Sequence, residues 1–348
     1  MVVVGVDVHK RSHTFVAVDE VGRELAEKTV KATGAGHAEA VMWARQRFGA
    51  ELVWGIEDCR NMSARLERDL LSAGQKVVRV STKLMAQTRA SARTRGKSDP
   101  IDALAVARAV LREPDLPIAA HDEASRELKL LTDRREILVA QRTSSINRLR
   151  WLVHELDPEC VIGSLDRAKH QRALRAWLDT VPGVVAELAG AELADICRFS
   201  DQISALANRI GARVRELAPA LLALVGCGEL TAAKIVGETA GVTRFSSEAA
   251  FARHAGVAPI PVWSGNTAGQ VRLSRCGNRQ LNAALYRIAI TQARQPGPAQ
   301  SYYRRKTAEG KTKKAALRCL KRHICREVFH RLHTDQQTHH QPHQQAAA

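Results

Sequence analysis

Aromatic side chains are scarce, with five Trp, three Tyr and six Phe in 348 residues, or 4% of the chain. Little is left for platforms on which bases could stack, and the 45% of hydrophobic residues must pack mainly as Ala, Leu and Val, which suits helices. Cysteine is also sparse. The seven are odd in number and contain no Cys-x-x-Cys pair, which argues against a disulfide framework or a zinc site and for a reduced cytoplasmic setting. No apolar run approaches the roughly 18 residues of a spanning helix. The apolar start Val2–Val6 is too short for a signal peptide and is cut by Asp7, so no membrane partner is expected.

Acidic residues are the other shortfall. Lys and Arg number 53 against 36 Asp and Glu, a formal net charge of +17. The excess is clustered. Residues 266–331 hold sixteen Lys and Arg against Glu309 and Glu327, a net +14, and residues 79–112 hold eight against Asp99 and Asp102, a net +6. Clustered cations favour a polyanionic partner, because neutralising phosphates releases condensed counterions. The length allows two or three domains.

Periodicity divides the chain. Met1–Val8, His13–Val18 and Glu24–Ala32 read as strands, Gly36–Phe48 as a helix, Leu52–Glu57 as a buried strand, Met62–Ala73 as a helix and Lys76–Ser81 as a strand. Helices over about Lys83–Thr94 and Pro100–Leu111 complete the series. Three strands, helix, strand, helix, strand, helix is the element order of the α/β ribonuclease H-like (RuvC-like) fold, expected over 1–122. Residues 123–223 read as long helices with coiled-coil-like spacing. Ser125–Leu156 carries Arg135 and Arg142 in its seam, and Ser200–Leu217 repeats Ile203, Leu206, Ile210, Val214 and Leu217 in steps of three and four. These helices can pair inside one chain or with a second protomer. Residues 224–332 read as a mainly α C-terminal domain, with a basic amphipathic helix over Thr307–Leu332, and 333–348 as a disordered low-complexity tail.

Four carboxylates fall on elements that such a sheet brings together. Asp7 sits near the end of the first strand, Glu57 ends the fourth, and Asp99 and Asp102 lie three apart at the start of a helix, facing one way. Converging carboxylates repel unless cations lie between them, and oxygen ligands suit hard divalent ions, Mg²⁺ above all. Two such ions clamp a scissile phosphate. Singly, each residue also has a structural reading, and Asp99 before Pro100 has the form of a helix N-cap. In Leu224-Val-Gly-Cys-Gly-Glu, Gly226 and Gly228 resemble a helix-hairpin-helix turn that lets backbone approach a phosphate, although a glycine-capped helix–helix turn has the same pattern. Ser264 lies in a Pro- and Gly-bounded loop with arginines close behind, where a deprotonated hydroxyl could attack a phosphodiester. Spacing alone does not separate it from an ordinary loop serine, nor does it separate Ser274.

Asp7, Glu57, Asp99 and Asp102 resemble the acidic tetrad of the insertion sequence 110 family, the DEDD transposases. The match includes Glu57-x-x-Arg60 and Lys97-Ser98-Asp99-x-x-Asp102. Val225–Arg279, with Gly256, Pro259, Ser264-Gly265 and Gly277-Asn278, resembles the family's C-terminal domain. One departure is Asn282, where the family usually has Arg. The resemblance implies a DNA transposase or recombinase in which Ser264 is the nucleophile and the tetrad holds Mg²⁺. It also implies a structured noncoding RNA that guides the enzyme to donor and target DNA, and a homodimer or tetramer. Nucleic-acid contacts are expected at Arg60, Lys97, Gly226, Gly228, Arg272, Arg275, Asn278, Arg279, Arg304, Arg305, Lys313 and Lys314. The rival readings are a RuvC-like nuclease that uses water as its nucleophile and a catalytically dead binding protein.

Overall fold

The computed structural model describes residues 1–57, 62–91, 96, 98–113, 116–120, 122–269, 271–273 and 277–345, with side chains except at 267, 273 and 339–345. Strand β1 (Val2–Val8) is buried at nearly every position because both of its faces are covered, as its unbroken apolar run requires. It pairs antiparallel with β2 (Ser12–Val18), which pairs antiparallel with β3 (Glu24–Lys31). On its other side β1 runs parallel to β4 (Leu52–Glu57), and β4 runs parallel to β5 (Lys76–Val80). The order β3-β2-β1-β4-β5, with these directions, is that of the ribonuclease H-like fold anticipated from the element order.

Side chains alternate across the sheet. Val4, Val6, Phe15, Trp54 and Ile56 pack with α1 (Gly34–Phe48) and α2 (Ala64–Ser72), while Val3, Val16 and Val53 pack with α4 (Asp99–Arg112). Thr33 caps α1 by accepting from the Gly36 amide at 3.2 Å. Trp54, fully buried, donates its indole N–H to Gln75 Oε1 at 3.0 Å. Helix α3 (Thr82–Ala90) precedes α4. Ser98, not Asp99, caps α4, so Asp99 is already in the first turn.

Two units emerge. The first takes residues 1–123, 224–226 and 239–348; the second takes 124–223 and 227–238. In the second, α5 (Glu123–Leu156), α6 (Ala168–Leu178) and α7 (Val184–Leu217) share a core of Leu149, Val153, Leu174, Leu178, Leu193 and Ile196. Helices α5 and α7 run antiparallel, tied by Arg148–Glu192 at 2.5 Å and by Glu127 to Arg209 and Arg213 at 2.8 and 3.2 Å. Of the coiled-coil-like series, Ile203, Ile210 and Val214 are buried inside the chain, and Leu206 and Leu217 are partly exposed. Helix α7 starts sixteen residues before the expected Ser200. After the short α8 (Pro219–Leu222), α9 (Glu229–Thr239) is held by buried charges: Lys129 meets Glu238 at 2.8 Å and Lys234 meets Glu136 at 2.9 Å.

The rest of the first unit is α10 (Glu248–His254), β6 (Pro259–Pro261), β7 (Val271–Leu273), α11 (Arg279–Arg294), α12 (Pro298–Ala308) and α13 (Lys313–Gln345). The β6–β7 hairpin was not anticipated in a domain read as mainly helical. Two further expectations are corrected. The basic helix expected from Thr307 breaks at Gly310, φ +89°, and restarts at Lys313. The tail from His333, expected to be disordered, continues α13 to Gln345, its first turn held by the burial of Asp335 and by Gln336 Oε1, which accepts from the Val242 amide at 3.3 Å. Among the described residues, no helix is long and apolar enough to cross a membrane.

Candidate active site

Gly5 and Gly55 face each other across β1 and β4. A Cβ on Gly5 would lie 2.1 Å from the Ala103 carbonyl oxygen, and one on Gly55 would lie 2.6 Å from a Val110 methyl. Two missing side chains therefore let α4 settle directly on the strands, with its own small residues Ala103 and Ala107 as the seam. This close seating sets the height of the first turn of α4 above the strand ends, and so the position of Asp99 and Asp102 over Asp7 and Glu57.

Asp7, Glu57 and Asp102 are each 8% exposed, whereas the Asp99 side chain is half exposed. His9, two residues beyond Asp7, bridges the outer pair: its Nε2 lies 2.9 Å from Asp7 Oδ2 and 3.2 Å from Asp99 Oδ1. Arg89, at the end of α3, serves the inner pair, donating from Nη1 to Asp102 Oδ1 at 2.6 Å with the Glu57 charge acting on it as well. Burial pushes the Asp7 carboxyl above its ordinary value; His9 opposes this, and the charges of Asp99 and Asp102 reinforce it. Burial alone would lower His9, but Asp7 and Asp99 outweigh it and raise its affinity for a proton. The site carries more negative charge than its own cations offset. Ligand atoms of Asp7, His9 and Asp99 lie within 4.8 Å of one another, a spacing one divalent ion can span. An oxygen-rich, over-charged cluster of this kind fits a hard cation.

Neither His9 nor Arg89 was singled out from sequence. The signal for His9 was its place in Asp7-Val-His9. Arg89 left none, since only the fold brings α3 to α4.

Ser264 is exposed in the loop joining β6 to β7, beside Trp263, which is 56% exposed. The stem of that hairpin is clamped. Gly256, φ +66°, and Gly277 approach so closely that a Cβ on Gly277 would fall 2.2 Å from the Gly256 nitrogen. The Asn278 amide donates to the His254 carbonyl at 2.6 Å. Asn282 donates to the carbonyls of Ala255 and Gly256 at 2.8 and 3.1 Å and accepts from the buried Lys321 ammonium at 2.8 Å. An Arg at 282 would set two cations together, so the Asn found there suits Lys321. Leu84 and Gln87 of α3 and Pro259–Pro261 of β6 line one cleft of about 740 Å³, with Arg79, Arg253 and Arg322 on its walls.

The expected nucleic-acid contacts divide. Arg272, Arg279, Arg304, Arg305, Lys313 and Lys314 are exposed cations. Asn278 Oδ1 accepts from the amides of Gln280 and Leu281 at 3.0 Å each, so it caps α11. Gly226, φ +82°, packs against Thr291 of α11, which explains its glycine without a phosphate; Gly228 faces open space before α9. Arg60, Lys97, Ser274 and Arg275 lie outside the described residues.

Comparison with known proteins follows this division. A family profile for DEDD transposases of the IS110 type matches residues 4–158, and one described as the transposase of the IS116/IS110/IS902 family matches residues 218–304. An uncharacterized 44.8 kDa protein of insertion element IS116 from Streptomyces clavuligerus is 28% identical over 366 positions, covering 92% of this chain and 91% of its own. A 42 kDa protein of insertion element IS900 from Mycobacterium paratuberculosis is 27% identical, covering 91% of this chain and 92% of its own. RuvC of Thermus thermophilus aligns over 34% of this chain and all of its own at 18% identity, with a TM-score of 0.28. The fold assignment rests on strand order and direction. With both halves matched in sequence order, the chain belongs to the IS116/IS110/IS902 family of transposases, enzymes that act on DNA.

Proposed function

We propose that this transposase cuts and rejoins DNA through the hydroxyl of Ser264, with Asp7, Glu57, Asp99 and Asp102 holding divalent metal, Mg²⁺ by preference, against the scissile phosphate. The observation that carries the reading is the convergence of the carboxylates at one end of the sheet under α4, with a surplus of negative charge. A divalent ion held by these carboxylates would supply polarisation of the phosphodiester and stabilise charge on the attacking and leaving oxygens. The protein's own residues do the rest. An Asp or Glu of the tetrad accepts the Ser264 proton. The Ser264 oxygen forms a bond to phosphorus as the P–O bond to the departing deoxyribose breaks, and that oxygen leaves as a hydroxyl once protonated. The phosphodiester is conserved in the protein–DNA link, so strands rejoin without ATP. The cleft shared by α3 and β6 supports a common approach of the two halves to one phosphate.

A guide RNA and a dimeric or tetrameric assembly belong to the same proposal, supported by the family and by the exposed cations of α12 and α13. Protein purified from cells carrying the whole element should retain a discrete noncoding RNA, and its removal should abolish site-specific recombination. Unchanged target choice after depletion would mean that the protein reads DNA directly.

The serine is tested with end-labelled DNA and Mg²⁺ on denaturing gels. Wild type should yield a protein–DNA adduct that maps to Ser264, and Ser264→Ala should bind nucleic acid without forming one. Free cleaved ends in equal amount from both proteins would establish a water-using nuclease instead.

A further inference from the structure

Arg89 is the one guanidinium that the structure sets against the tetrad among the described residues, and the proposed reaction leaves it unassigned. We propose that Arg89 is an exchangeable counter-cation: it holds Asp102 and Glu57 while the site is metal-free, competes with the incoming divalent ion, and passes to the DNA phosphate once displaced. This rests on the reading of the tetrad as a divalent-metal site.

Three observations carry it. The contact is direct and charge-assisted, Arg89 Nη1 to Asp102 Oδ1 at 2.6 Å, so the guanidinium competes with a metal ion for the charge of that carboxylate. The arginine keeps its charge at every working pH, so only a competing cation can replace it. Its side chain is 29% exposed against 11% for Asp102, so the guanidinium has solvent to move into while the carboxylate stays fixed. Charge balance gives the exchange a destination. Two divalent ions neutralise four carboxylates, and the freed arginine then matches the single charge of a phosphodiester. Arg89 ends the helix that lines the cleft shared with β6, so a released side chain remains beside the route to Ser264.

Loss of the competitor has a sign that a structural role does not predict. Arg89→Gln keeps the length and a donor and removes the charge. It should bind Mn²⁺, titrated calorimetrically without DNA, about tenfold more tightly than wild type, the equivalent of one charge-assisted hydrogen bond no longer competing, while DNA cleavage falls. If Arg89 merely tied α3 to α4, the variant would bind Mn²⁺ more weakly. Equal or weaker binding overturns the proposal.

A second readout needs no variant. Arg89 in the wild-type chain should react with phenylglyoxal several-fold faster as Mn²⁺ is added, and DNA added with Mn²⁺ should suppress the reaction, read by peptide mass spectrometry. Labelling that ignores Mn²⁺ overturns the proposal as well. Absence of saturable Mn²⁺ binding in wild type would instead defeat the tetrad reading itself, and the inference with it.

Discussion

His13 and His37 lie on the sheet face opposite Asp7, stacked with centroids 5.1 Å apart and nearly fully buried. His37 Nδ1 pairs with Asp69 Oδ2 at 2.5 Å, while burial and the neighbouring His37 lower His13 to about 4. The sign follows from linkage. The unfolded chain takes up a proton at His13 near pH 6.5 and the folded chain only near pH 4, so stability falls as pH drops through that window, by about 3 kcal/mol in all. Urea unfolding followed by circular dichroism from pH 7 to 4 should show this loss, and His13→Phe should flatten it. An unchanged slope in the variant would assign the effect elsewhere. On the catalytic face, Asp7→Ala, Glu57→Ala, Asp99→Ala and Asp102→Ala should each abolish strand cleavage with circular dichroism unchanged; two variants with full activity would sink the two-metal reading. The positions of these carboxylates on their elements were legible from strand and helix periodicity. The residues that answer their charge were not, because pairing across α3 and α4 leaves no local spacing to read.

Elements were legible where one period ran long enough. The five strands of the large sheet match the expected ones to within a residue or two at most ends. The β6–β7 hairpin was missed because its strands are three residues each and two of the six positions are taken by Pro259 and Pro261, which mask a strand signal. Its stem also rests on contacts between distant segments, as the Asn282 bridge to Ala255, Gly256 and Lys321 shows. Asn282→Ala would leave the Lys321 ammonium without that acceptor at 6% exposure, a cost of roughly 1–3 kcal/mol. Adduct formation at Ser264 should fall more than DNA affinity does, and urea unfolding should show the lost stability. The seat of α4 makes a sharper case. Gly5→Val sets a branched side chain where even a Cβ would fall 2.1 Å from a backbone oxygen, so the helix must lift. The expected cost is about 3 kcal/mol, read as a lower midpoint in urea, together with loss of Mn²⁺ binding although no carboxylate has changed. Retained binding would show that the helix height does not set the site.

At the scale of the molecule, the excess of 53 basic over 36 acidic residues is concentrated where the exposed cations of α12 and α13 lie. Binding to nucleic acid should fall by roughly 10³–10⁵ between 50 and 200 mM salt if six to ten phosphates are contacted, and replacing Lys313 and Lys314 together should flatten the log–log slope by about two. A salt-insensitive affinity would remove the electrostatic reading. The first unit has a further consequence. It is assembled from residues 1–123, 224–226 and 239–348, while residues 124–223 and 227–238 form the second unit. The ribonuclease H-like sheet leaves the ribosome early, but α10, α11 and α13 of the same unit are made last. For the length of that interval the metal-binding half exists without the hairpin that bears Ser264, so a nascent or prematurely ended chain holds half of the proposed chemistry and none of the strand-joining.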